Sequence, residues 1–76
     1  MKLAVVIWHD AWLEANQELT EADIPNTPAT QVTAGFLVRR DKKGVTLAME
    51  YSADDGNFRT VTFIPAAMVK KVRLIR

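Results

Sequence analysis

His9 beside Asp10 is the one neighbouring pair in this chain with the groups that base catalysis uses, an imidazole with a carboxylate to orient it. Nucleophilic catalysis also needs a third group within hydrogen-bond reach. Ser52, the only serine, falls in a predicted turn far along the chain, so His9 reads as a strand end, Asp10 reads as a helix cap, and no catalytic residue is assigned. One histidine and no cysteine fall short of the four nitrogen or sulfur ligands of a structural zinc site. Asp54-Asp55-Gly56-Asn57 has the composition of a calcium loop but lacks the later bidentate glutamate, and hairpin-turn chemistry accounts for it. The expectation is a protein that is not an enzyme and carries no metal or cofactor.

Charge gives two further candidate surfaces. Residues 1–38 hold one base, Lys2, against Asp10, Glu14, Glu18, Glu21 and Asp23, a net of 1 − 5 = −4. Residues 39–76 hold nine bases against Asp41, Glu50, Asp54 and Asp55, a net of 9 − 4 = +5, and the two halves sum to the overall +1. Arg39, Arg40, Lys42 and Lys43 surround one predicted hairpin, and Lys70, Lys71, Arg73 and Arg76 fall on the predicted last strand. A stripe of that kind can track phosphates, which makes nucleic-acid binding the alternative function. Lysines on a terminal strand also guard an edge against aggregation, and Phe36, Phe58 and Phe63 are expected in the core rather than as stacking platforms. The acidic half carries Trp12, Leu13, Glu14, Glu18, Leu19, Glu21 and Asp23, with Ile24 beyond them; a rigid aromatic among charges is a common protein-binding arrangement. Two competing expectations go with it: the acidic connection folds over the basic strands and neutralises them, and Trp12 plugs one end of the fold.

The elements that position these groups are mostly strands. Leu3-Ala4-Val5-Val6-Ile7-Trp8 is apolar on both faces, as in a strand covered on both sides. Trp12, Ala15, Leu19 and Ala22 recur at helical spacing after Asp10, which predicts a short helix or helical turn. Pro25 and Pro28 then favour extended, irregular chain, so the connection is expected to run from His9 to about Ala34. Gly35 is expected to allow a sharp bend into the strand Phe36-Leu37-Val38-Arg39-Arg40. The turn Asp41-Lys42-Lys43-Gly44 leads to Val45 through Tyr51, with Val45, Leu47, Met49 and Tyr51 on one face. A second turn, Ser52 to Asn57, leads to Phe58 through Ile64, where Val61 and Phe63 share a side. A proline-led kink, Ile64-Pro65-Ala66-Ala67-Met68-Val69, precedes a last strand with Val72 and Leu74 inward.

Seventy-six residues suit one domain, and a chain this short buries only about 60% of its unfolded surface, which leaves little room for an enclosed pocket. Its 49% hydrophobic and 25% charged composition is that of an ordered globular domain. The absence of cysteine suits a reducing cytosol. The apolar run at the start ends after six residues at His9-Asp10 without a cleavage site, so it reads as a strand rather than a signal peptide. No stretch approaches the roughly 20 apolar residues of a membrane-spanning helix, and a soluble, unanchored protein is expected.

Strand, long acidic loop, three-strand meander, one-turn 3-10 helix and last strand is the order of SH3-like barrels, which Ile64-Pro65-Ala66-Ala67-Met68-Val69 also resembles. The resemblance implies a mainly β, small five-stranded SH3-like barrel over residues 1–76. Peptide-binding SH3 domains line a groove with tryptophan and tyrosine; Gly35-Phe36 and Ala67-Met68 stand near those places here, so polyproline recognition is not expected. Trp8-His9-Asp10-Ala11, Thr33-Ala34-Gly35-Phe36-Leu37-Val38, Val45-Thr46-Leu47-Ala48 and the proline-led kink resemble small phage- and prophage-encoded proteins of unassigned function. Ala34 replaces the valine common there. That resemblance implies a viral gene in a host cytoplasm, or a place in the virion, and a protein partner of host or phage origin. An accessory particle protein and an inhibitor of a host defence enzyme are the roles it suggests. An unclosed edge would also permit a homo-oligomer.

Overall fold

The computed structural model describes residues 1–75; Arg76, the end of the predicted basic stripe, lies outside the described residues. The strands are β1 (Leu3–Asp10), β2 (Ala29–Asp41), β3 (Gly44–Tyr51), β4 (Phe58–Pro65) and β5 (Val69–Ile75). They form one antiparallel sheet in the order β4-β3-β2-β1-β5. A single 3-10 turn, Ala66–Met68, joins β4 to β5, as the proline-led kink predicts.

β2 organises the sheet. It pairs with β1 from Ala29 to Phe36 and with β3 from Phe36 to Asp41, so Phe36 is shared by both ladders. The strand bends there, one residue after Gly35, whose missing side chain lets the backbone approach within contact of Ala48. Val38 is the extra residue of a bulge just beyond, because Leu37 opposes Leu47 while Arg39 already opposes Thr46. The bend folds the sheet over a small core: Ala4 and Val6 of β1 lie against Val45 and Leu47 of β3 and Ile64 of β4, with Trp8, Leu37, Met68, Val69 and Val72 packed around them. Trp8 Nε1 donates to Thr33 Oγ1 at 2.9 Å, so its polar edge is satisfied.

Several expectations change. Among the described residues no pairing joins β4 to β5, so the sheet is not closed. Those two strands meet only at the corner made by Ala66–Met68, then diverge because β4 is held by β3 and β5 by β1. The connection after β1 is shorter than expected, since Thr30, Val32 and Thr33 extend β2 back to Ala29, where it faces Asp10. No α-helix forms in that connection, only the 3-10 turn Glu21–Asp23. Asp10 is therefore the last residue of β1 and not a helix cap. Val61 and Phe63 are each 55% exposed, while Ile64 of the opposite face is buried. The other face mates do not all reach the core either. Met49 and Tyr51 lie past it on a projecting hairpin, and Leu74 lies beyond Val72 at the far end of β5.

Candidate binding surfaces

Residues 11–28, between the end of β1 and the start of β2, form an arm in which every residue is exposed. Trp12 is 43% exposed and Leu13 88%, and Leu19 and Ile24 also face solvent. Local bonds give the arm its shape. Trp12 Nε1 donates to the Thr27 carbonyl oxygen at 2.8 Å, tying the outgoing chain to the returning one. Thr20 Oγ1 donates to Asp23 Oδ2 at 2.8 Å, and the Asn16 N–H donates to Glu14 Oε1 at 2.6 Å. Trp12 thus closes the neck of the arm and does not plug the sheet.

The arm holds Glu14, Glu18, Glu21 and Asp23 and no lysine or arginine. Among the described residues the one ion pair is Arg59 with Glu50 at 4.0 Å, exposed and remote from the arm, so the acidic connection does not neutralise the basic strands. A helix would have needed an apolar surface to receive Trp12, Ala15, Leu19 and Ala22, and nothing in the fold faces them.

The basic residues separate into several places. Arg40, Lys70 and Lys71 line one cleft of about 280 Å³ with Asp41, over a floor that includes Val45, Val69 and Val72. Two local features build it. The Ala66 N–H donates to the Lys43 carbonyl oxygen at 3.0 Å, which docks the β2–β3 hairpin beside the start of β5. Ile7 opposes Lys71 while Trp8 opposes Val69, so Lys70 is the extra residue of a bulge. Successive side chains of a regular strand point to opposite faces; the bulge lets Lys70 and Lys71 serve the same cleft. Arg39 instead opposes Thr46, Arg73 opposes Val5, and Lys42 and Lys43 occupy the exposed hairpin turn. That turn is held by Asp41 Oδ1, which accepts from the Lys43 N–H at 2.8 Å and the Gly44 N–H at 3.3 Å.

A second hollow, about 400 Å³, is lined by Phe36, Glu50, Tyr51, Ser52 and Arg59. The Tyr51 ring lies 5.2 Å from Phe58 and 6.2 Å from Phe36, centroid to centroid. Tyr51 and Phe58 are direct cross-strand partners, a pairing legible from the short turn between them, whereas Phe36 joins them through the bend in β2. His9 opposes Thr30 on the β1–β2 ladder, and Ser52 sits in the β3–β4 turn. In that turn the Asp55 carboxyl is held below its usual range by the Asn57 N–H, which donates to Oδ1 at 2.9 Å, and by Ser52. Among the described residues no three His, Asp or Glu side chains are gathered as metal ligands, and no helix is long and apolar enough to cross a membrane.

Comparisons with protein-family models, with curated proteins and with solved structures find no match to this chain.

Proposed function

We propose that this chain is a non-enzymatic binding module that acts through protein–protein contacts made by its acidic arm. The exposure of every residue from 11 to 28, with Trp12 and Leu13 uncovered among four carboxylates that form no ion pair among the described residues, is the observation that carries this reading. Aromatic anchors within a charged rim supply most of the binding energy of typical interfaces. An SH3-like sheet is part of the proposal, supported by a first strand lying between the second and the fifth and by the 3-10 turn before the last strand. The phage resemblance supplies a setting, in which such a module serves as an accessory particle protein or as an inhibitor of a host defence enzyme.

A photo-reactive amino acid placed at Leu13 tests the proposal. It should form a covalent adduct with a second polypeptide in an extract of the source cells, and Trp12→Ala should abolish the adduct while leaving the melting temperature nearly unchanged. Absence of any adduct, or one indifferent to Trp12→Ala, would sink the reading.

The convergence of Arg40, Lys70 and Lys71 on one cleft favours a second reading, binding of a nucleic-acid strand. Three cations on single-stranded phosphates give a slope of about −2 in log K against log salt. Arg40→Ala with Lys71→Ala should flatten that slope, and an unchanged slope removes this alternative.

A further inference from the structure

The molecule carries more surface than its mass requires. A compact monomer of 8.5 kDa exposes about 4,650 Å². This chain exposes 6115 Å², an excess of about 1,500 Å². Its radius of gyration is 15.9 Å, against roughly 11 Å for a compact domain of this length. Six hydrophobic residues are fully buried, namely Ala4, Val6, Val45, Leu47, Ala48 and Ile64. A standard interface takes about 800 Å² from each partner, so the excess leaves room for one chain to be both donor and acceptor of a docking segment.

The charges indicate which segment and which acceptor. The arm presents Glu14, Glu18, Glu21 and Asp23 with no cation among them, and the cleft presents Arg40, Lys70 and Lys71 against a single carboxylate, Asp41. Among the described residues none of these groups is in an ion pair. Trp12, Leu13, Leu19 and Ile24 stand uncovered on the arm, and the half-buried Val69 and Val72 line the cleft. Position completes the argument. Val69 and Lys71 oppose Trp8 and Ile7, and the arm leaves β1 at Asp10, so its base lies only about two or three residues, roughly 7–10 Å, from the cleft along the ladder. When a protruding segment and its acceptor share one end of a molecule, a two-fold axis at that end satisfies both contacts at once and closes the assembly.

We propose that the chain forms a two-fold dimer in which the acidic arm of each copy seats in the Arg40, Lys70, Lys71 cleft of the other. This rests on the reading of the arm as a protein-binding surface and names its partner as a second copy. The partner's carboxylates complete the cleft's charge balance, and Trp12 and Leu13 cover Val69 and Val72. The excess of about 1,500 Å² is larger than the roughly 800 Å² that a standard interface takes from each chain.

Sedimentation equilibrium of the full chain tests this. A particle of twice 8.5 kDa is expected at about 100 µM and about 50 mM NaCl, dissociating at least tenfold more readily near 500 mM. Glu18→Lys with Glu21→Lys should give a monomer, and so should Lys70→Glu with Lys71→Glu; all four side chains are exposed, so circular dichroism should be unchanged. An equimolar mixture of the two variants should restore the dimer, because each reversed arm then meets a reversed cleft. Carbodiimide coupling of an isotope-mixed wild-type sample should join Glu18 or Glu21 of one copy to Lys70 or Lys71 of another, a readout that needs no variant. A wild-type monomer at all concentrations overturns the dimer but leaves the arm's reading intact if Leu13 still crosslinks a different protein. A dimer that survives both reversals, or coupling confined within single chains, overturns the arm-in-cleft arrangement.

Discussion

Gly35→Ala tests the bend on which the whole arrangement depends. Gly35 opposes Ala4 on the β1 ladder, and its neighbour Phe36 is the residue that β2 shares between β1 and β3. A methyl group there would lie 2.6 Å from the Ala48 carbonyl oxygen, 3.3 Å from its carbonyl carbon and 3.5 Å from Leu47 Cβ. Two of these atoms are backbone and the third belongs to a buried leucine, so no flexible side chain can swing aside. The β2 and β3 backbones must separate by roughly 0.8 Å to restore ordinary contact. Overpacking of this kind costs about 1–3 kcal/mol. Stiffening the unfolded chain returns about 0.4–1 kcal/mol, which leaves a net loss of about 1–2 kcal/mol. For a domain of this size that lowers the melting temperature by about 5–15 °C. Thermal unfolding followed by circular dichroism should show the drop, with wild type and variant at equal concentration because self-association itself raises apparent stability. A variant melting within about 2 °C of wild type would mean that β2 turns the corner without the close approach, and the account of how the sheet folds over its core would fail.

Two further predictions address packing and titration. Ile64→Ala should destabilise the fold by about 2–5 kcal/mol, whereas Phe63→Thr, at the next position on β4, should cost less than about 1.5 kcal/mol in urea unfolding; the reverse ranking would place the wrong face of β4 against the core. The Asp55 carboxyl should titrate below its ordinary value of 3.8 by NMR, because the charged form accepts the Asn57 N–H and bonds Ser52. A folded-state pKa below the unfolded one contributes stability that is present above the unfolded value and lost as pH falls through the folded one. Asp55→Ala should therefore weaken the acid-induced loss of stability in that window, and a midpoint at or above 3.8 would remove the basis for this.

The elements that depend on neighbours in sequence were legible there. Asp41 to Gly44, Ser52 to Asn57 and Pro65 to Met68 carry their turn chemistry locally, and the strands on either side follow. What depends on distant partners was not. Thr30 to Ala34 follows two prolines and reads as loop, yet β1 supplies a ladder for it, a partner more than twenty residues away. The helical spacing of Trp12, Ala15, Leu19 and Ala22 had no surface to pack on, and isolated helices of that length are marginal in water. On β4 both alternating sets hold apolar residues, Val61 and Phe63 against Ile64, so periodicity alone does not choose a face. The register chooses it, setting Ile64 opposite the buried Val45 and Phe63 opposite Thr46. The Arg40, Lys70, Lys71 cleft required a bulge that no residue type announces.

The uncovered arm and the open sheet have a common physical origin. Among the described residues, six buried hydrophobic residues drawn from three strands are what this chain encloses, although nearly half of its residues are hydrophobic. Covering more of the apolar surface within one chain would require the arm to fold back over the sheet, or β4 to meet β5. The first is opposed by the tie between Trp12 and Thr27, which fixes the arm as an extension of the β1–β2 ladder. The second is opposed by the divergence of β4 and β5 from their shared corner, and β4 is further distorted by Thr60, a β-branched residue at a φ of 56°. A left-handed β-branched residue bends an edge strand away from simple extension, which protects that edge from indiscriminate pairing. Part of the apolar surface left over, Trp12, Leu13, Leu19 and Ile24, lies on the arm beside four carboxylates, and the rest, Val61 and Phe63 among it, stays on the sheet. In the proposed dimer specificity would follow from that combination: an apolar patch alone would bind any greasy surface, whereas one beside carboxylates would favour a cationic surface.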